Sequence, residues 1–63
     1  MCQSNAYFID GNNEELILED VAKVLFENDN TILLISLFGE EKKVKGELKK
    51  VDLLNHKIFI EKR

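Results

Sequence analysis

The sequence predicts an all-β domain, a small antiparallel barrel or curved meander sheet of five to six strands. Three observations carry this. Short apolar runs are punctuated by Asp-Gly-Asn-Asn, Asn-Asp-Asn and Gly-Glu-Glu, clusters that favour turns. Proline is absent, so no run is barred from a sheet interior. The apolar residues mostly alternate, or lie in runs too short for a stable isolated helix.

Residues 3–9 read as the first strand, because Tyr7, Phe8 and Ile9 suit a pleated surface and Asp10 to Asn13 turns the chain. Residues 15–18 resume an extended apolar run. Residues 19–26 fit two periods: Val21, Val24 and Leu25 match a helix, while Ala22, Val24 and Phe26 match a strand. Eight residues between turns make a poor helix, so a strand is expected. Residues 31–38, dense in Ile and Leu, form the clearest strand and the expected sheet centre. Residues 42–51 place Val44, Gly46 and Leu48 on one face and Lys43, Lys45, Glu47 and Lys49 on the other. The alternation slips at Lys49-Lys50-Val51, which reads as a bulge. A tight hairpin at Leu54-Asn55-His56-Lys57 leads to Ile58 and Ile60. Short strands and short turns in this number give an SH3-like or Sm-like scale of barrel.

The whole chain, residues 1–63, is expected to be one domain. At 63 residues and 44% hydrophobic it should fold, with a small core. Domains of this size usually need disulfides, a metal or self-association. Cys2 is the only cysteine, so a homodimer is the default expectation. The longest aliphatic run, Ile32 to Ile35, is far too short to cross a bilayer. With no basic, apolar leader at its start, the chain is expected in the cytoplasm, where a lone thiol stays reduced.

Charge is segregated. Residues 1–41 hold nine acids and one base, a net of −8, and residues 42–63 hold eight bases and three acids, a net of +5. The favoured reading is that the two segments interleave in one sheet and pair across strands. The competing one is a basic strand, Lys42 to Lys50, that binds RNA. The overall charge of −3 weighs against it. So do the aromatics: only Tyr7, Phe8 and Phe59 suit base stacking, and Phe59 alone lies in the basic segment.

Chemistry-bearing residues are few, which disfavours an enzyme. Glu14-Glu15, Glu19-Asp20 and Glu40-Glu41 are adjacent pairs whose side chains point to opposite faces of a strand, so they are poor acid–base partners. His56, the only histidine, reads as a turn residue with a half-solvated ring and no nucleophile beside it. Cys2 is different, because the terminal amine is close by. With Met1 removed, the Cys2 amine and thiolate form a five-membered chelate. With Met1 retained, its amine, the Cys2 amide nitrogen and the sulfur form two fused rings. Both sets are planar N,S donors of the kind that suits Ni(II) or Cu(II). Zn(II) prefers a tetrahedral set that one Cys and one His do not supply.

The chain opens Met-Cys-x-x-Asn-Ala-Tyr and continues Glu-Glu-Leu-x-Leu-Glu-Asp-Val-x-Lys-Val. It then runs Leu-Phe-Gly-Glu-Glu-Lys-Lys-Val-Lys-Gly and closes Val-Asp-Leu-Leu-Asn-His-Lys-Ile. In order and spacing this resembles the CooT family of carbon monoxide dehydrogenase accessory proteins. The resemblance implies an all-β homodimer in which the cysteine after the initiator Met binds Ni(II) near the dimer interface. That role falls on Cys2, and no ligand role transfers to His56. The ligand set is then backbone nitrogen plus Cys2, or two chains. The implied function is that of a Ni(II)-binding accessory protein, supplying or buffering nickel for a client metalloenzyme such as carbon monoxide dehydrogenase.

Overall fold

The computed structural model describes residues 4–63. They form five strands: β1 (Ser4–Asp10), β2 (Asn13–Glu27), β3 (Thr31–Ser36), β4 (Glu41–Asp52) and β5 (Lys57–Lys62). These close into a barrel in the order β1-β2-β3-β4-β5. The four pairs made by consecutive strands are antiparallel, while β1 and β5 pair in parallel. The parallel seam is a matter of parity. When an odd number of strands runs alternately up and down, the first and last point the same way. Gln3, expected to begin the first strand, lies outside the described residues.

The largest departure from the sequence expectation is in β2. The two expected strands, 15–18 and 19–26, are one continuous 15-residue strand. Its first part pairs with β1 and its second with β3. Three register shifts bend it: one β1 residue opposes two of β2 at Ile17, a second shift falls between Leu18 and Val21, and a third between Val21 and Lys23. Bulges of this kind add residues to one strand and sharpen its twist. They also account for the helix-like spacing, because Leu18, Val21 and Val24 all reach the core at intervals of three. The bend is marked by Asp20 at φ 54°. Its N–H donates to Asn5 Oδ1 at 3.1 Å, and its carbonyl accepts from Leu37 N at 2.8 Å.

Strand β3, expected at the sheet centre, is the most thoroughly buried strand, but closure of the barrel gives every strand two neighbours and leaves no centre; it stops at Ser36. The buried Ser36 hydroxyl accepts from the N–H groups of Phe38 and Glu40, each at 3.1 Å, turning the chain there. The bulge expected at 49–51 is present, with the β4–β5 register shifting between Leu48 and Lys50. Gly46 is neither turn nor bulge. Its backbone lies against β5 so closely that a Cβ would sit 2.6 Å from Ile60 Cγ2 and 2.7 Å from the Glu61 carbonyl oxygen. The core consists of Ala6, Ile17, Leu18, Val21, Ile32, Leu34, Ile58 and Ile60, with Phe8, Val24, Val44 and Leu48 packed against it.

The charged segments do interleave, but only partly pair with each other. Lys43–Glu27 at 3.2 Å and Lys57–Glu14 at 3.6 Å join the acidic to the basic segment. Lys49–Glu47, Lys49–Glu61 and Arg63–Glu47 lie wholly within the basic one.

Candidate metal centre at the start of the chain

Cys2, the residue singled out as the metal ligand, lies outside the described residues. What is described is the part of the barrel from which the N-terminal segment departs. Ser4 pairs with Val21 of β2, and Asn5 pairs with Lys57 of β5. Asn5 is bonded on both flanks: its N–H donates to the His56 carbonyl at 2.9 Å, and its side-chain oxygen accepts from Asp20 N. With the Leu37–Asp20 bond, a chain of hydrogen bonds links the β3–β4 turn, the β2 bend, the start of β1 and the β4–β5 turn. Asn5 is therefore a fixed point between two turns.

The β4–β5 turn is built by Asp52. One carboxylate oxygen accepts from Asn55 N at 3.1 Å and the other from Asn55 Nδ2 at 2.9 Å. These bonds to Asn55 hold the Asp52 carboxyl below its ordinary pKa of 3.8. His56 completes the turn at φ 58°, an uncommon backbone region that His tolerates better than most residues. It is thus the turn residue expected from sequence, and it is exposed. The sequence reading missed its neighbourhood: the fold places the His56 main chain beside Asn5 at the start of β1.

The other candidates stay apart. Among the described residues no group of three or more His, Cys, Asp or Glu could hold a metal ion. Glu14 and Glu15 are exposed, and Glu14 faces Lys57. A cavity of about 520 Å³ lies at the far end of β1 and β5, lined by Phe8, Asp10, Glu14, Glu61 and Arg63 among others.

The basic strand is largely engaged within the molecule. Lys43 and Lys49 are ion-paired, and Lys45 Nζ donates to the Asp29 carbonyl at 3.2 Å. Hydrogen bonding and charge from Glu61, then from Glu47, hold the Lys49 ammonium above its ordinary pKa, and Arg63 followed by Lys49 holds the Glu47 carboxyl below its own. The β1–β5 seam does bring Tyr7 to within 6.0 Å of Phe59, so the aromatics are nearer the bases than sequence order suggests. Each ring already carries a lysine, however: Lys50 over Phe59 at 5.0 Å, Lys57 over Tyr7 at 5.4 Å and Lys62 over Phe8 at 5.0 Å.

The fold defines a class: a small closed β-barrel of five strands whose first strand is fixed between two turns. The chain belongs to the CO dehydrogenase accessory protein CooT family, whose pattern matches residues 1–61. It is 48% identical over 61 residues to the uncharacterized protein MJ1551 of Methanocaldococcus jannaschii, covering 97% of this chain and 98% of that one. It also superimposes on the crystal structure of a candidate CooT from Carboxydothermus hydrogenoformans, with a TM-score of 0.90, 34% identity and 98% of each chain covered. Among the described residues no helix is long and apolar enough to cross a membrane.

Proposed function

We propose that this protein is a nickel-binding accessory protein that holds Ni(II) at its N-terminus and passes it to a client metalloenzyme such as carbon monoxide dehydrogenase. The observation that carries the reading is membership of an accessory-protein family over a stretch that includes Cys2. The donor chemistry fits the cargo, because an amine or amide nitrogen and a thiolate in one five-membered chelate favour a planar d⁸ ion. In this reading Cys2 supplies the decisive ligand, and the protein releases nickel by ligand exchange without turning over a substrate.

A homodimer in the cytoplasm belongs to the same reading. Its support is the exposed apolar surface of the two turns flanking the start of β1: Phe38 is 79% exposed, Leu53 74% and Leu54 87%, with Leu37 at 45% beside them. Side chains of this kind, grouped around one end of a barrel, mark an interaction surface.

The test is a spectroscopic titration of the full chain with Ni(II). A sulfur-to-nickel charge-transfer band should grow with metal, vanish in Cys2→Ser and weaken when the terminal amine is blocked. Because the thiolate is the ligand and a free Cys titrates near ~8.5, binding should release protons and weaken as pH falls. Full nickel affinity in Cys2→Ser would overturn the assignment.

A further inference from the structure

Among the described residues, Asp20, Asp29, Asn30 and His56 have a positive φ without being glycine. Asp29, Asn30 and His56 lie in turns, where such backbone is ordinary for these residue types. Asp20, at φ 54°, lies inside strand β2. A residue other than glycine keeps that backbone only where its surroundings over-determine it, and such residues gather at functional positions.

Two bonds hold Asp20. Its N–H donates to Asn5 Oδ1 at 3.1 Å, and its carbonyl accepts from Leu37 N at 2.8 Å, where the β3–β4 turn begins. Asn5 in turn donates its own N–H to the His56 carbonyl at 2.9 Å, at the end of the β4–β5 turn. Asn5 is thus the joint between the two turns. No hydrogen bond among the described residues joins them directly. These same turns carry the exposed apolar side chains of Leu37 and Phe38 on one and Leu53 and Leu54 on the other. A surface assembled from two separate turns binds well when their spacing is set before contact, because ordering at contact subtracts from affinity.

We propose that Asn5 is a positioning residue for self-association. Its side-chain bond to Asp20 and its main-chain bond to His56 hold the two apolar turns at one spacing, so that they meet a second copy of this chain as one preformed surface. This rests on the homodimer reading above and deepens it. A second copy is the occupant the chain itself calls for. Its core is small, and a single cysteine leaves it without an internal disulfide. Covering four large apolar side chains on each copy adds the apolar burial that a fold of this size lacks. The strained backbone at Asp20 is then part of the device: it turns the Asp20 carbonyl toward Leu37 and the N–H toward Asn5, which extended strand backbone would not do together.

The test measures the dimer dissociation constant by sedimentation and the exchange of individual amide hydrogens by NMR. It compares wild type, Asn5→Ala, Asn5→Asp and Leu54→Glu, each as the full chain. Asn5→Ala keeps the main-chain bond to His56 and removes the acceptor for Asp20. It should weaken the dimer about tenfold or more, because the turns must then be ordered at contact. It should also speed exchange at Asp20 and Leu37 while the paired amides of β3 keep their wild-type rates. Asn5→Asp retains an acceptor oxygen, and a carboxylate accepts a backbone N–H at least as well, so it should behave as wild type. Asn5→Gln, which keeps an amide but carries its oxygen one methylene further out, makes the same test should the Ala variant fail to fold. Wild-type dimer affinity in Asn5→Ala, with affinity lost in Leu54→Glu, would overturn the positioning role and leave the apolar surface standing. Exchange that rises equally at all amides, or an Asn5→Asp that behaves as Asn5→Ala, would overturn it too. A wild type that stays monomeric throughout would overturn the homodimer reading and the role of Asn5 with it.

Discussion

Gly46→Ala offers the sharpest check on the barrel itself. The added methyl would lie 2.6 Å from Ile60 Cγ2 and 2.7 Å from the Glu61 carbonyl oxygen, both well inside contact distance. Neither can yield easily. Ile60 is fully buried in the core, and the Glu61 oxygen belongs to a strand paired on both sides. Overpacking of this kind costs about 1–3 kcal/mol, and two hard contacts place Gly46 at the upper end, at about 2–3 kcal/mol. A core of this size supplies only about 3–5 kcal/mol in total, so the variant should be close to unfolding. In a domain this small each kcal/mol shifts Tm by roughly 4–8 °C, which gives a drop of about 10–20 °C. The assay is thermal and urea denaturation at fixed protein concentration, since self-association would couple stability to concentration. Gly11→Ala is the control: Gly11 sits at φ 63° with nothing within 4 Å of a Cβ, so only the backbone penalty of about 1 kcal/mol applies. Equal losses in the two variants, or a loss below about 1 kcal/mol at Gly46, would refute the close approach of β4 to β5.

Sedimentation equilibrium at low micromolar concentration should give a dimer, and Leu54→Glu, at a position 87% exposed in the single chain, should shift it toward a 7.3 kDa species without unfolding it. Filter binding at physiological salt should detect only weak, salt-sensitive association with single-stranded RNA, because the rings of the basic face already carry lysines; submicromolar binding would favour the RNA reading. Asp52, held below its ordinary pKa of 3.8 by Asn55, contributes stability that is present above that value and lost as pH falls through its folded pKa. Acid denaturation of Asp52→Asn should therefore be flatter than wild type below about pH 4, and an unchanged acid slope would remove Asp52 from the account.

How far the sequence could be read depended on how local the determining interaction was. Turns built by neighbouring residues were legible: Asp29 and Asn30 take the left-handed backbone that their side chains tolerate, and the extra polar residue at Lys49–Lys50 is the observed bulge. Strand β2 was split in two because its bulges break the alternation on which strand recognition rests. Their positions are fixed by partners in β1 and β3 that local periodicity does not contain. The charge segregation had the same limit. Lys57 reaches Glu14 because β5 lies beside β1 and β1 beside β2, whereas Lys49 finds acids on its own and the next strand.

The placement of His56 had a signal that composition and spacing leave hidden. A closed meander of five strands puts its last strand beside its first, so the turn before β5 must adjoin the residues that begin β1. Fixing the strand number at five, rather than five to six, would have placed the β4–β5 turn beside the start of β1 from topology alone. The same geometry bears on how an accessory protein could release its cargo. Ligand exchange at a planar ion proceeds by approach of an incoming donor, so a nickel site enclosed in the core would trap the ion. Here the fold holds Asn5 through its N–H, which donates to the His56 carbonyl, and through its side-chain oxygen, which accepts from Asp20 N at the β2 bend, and leaves the side chains of the flanking turns exposed. In the proposed function, the barrel would fix Ser4 and Asn5, the described residues next to the Cys2 ligand, and would leave the apolar flanking turns accessible to a client.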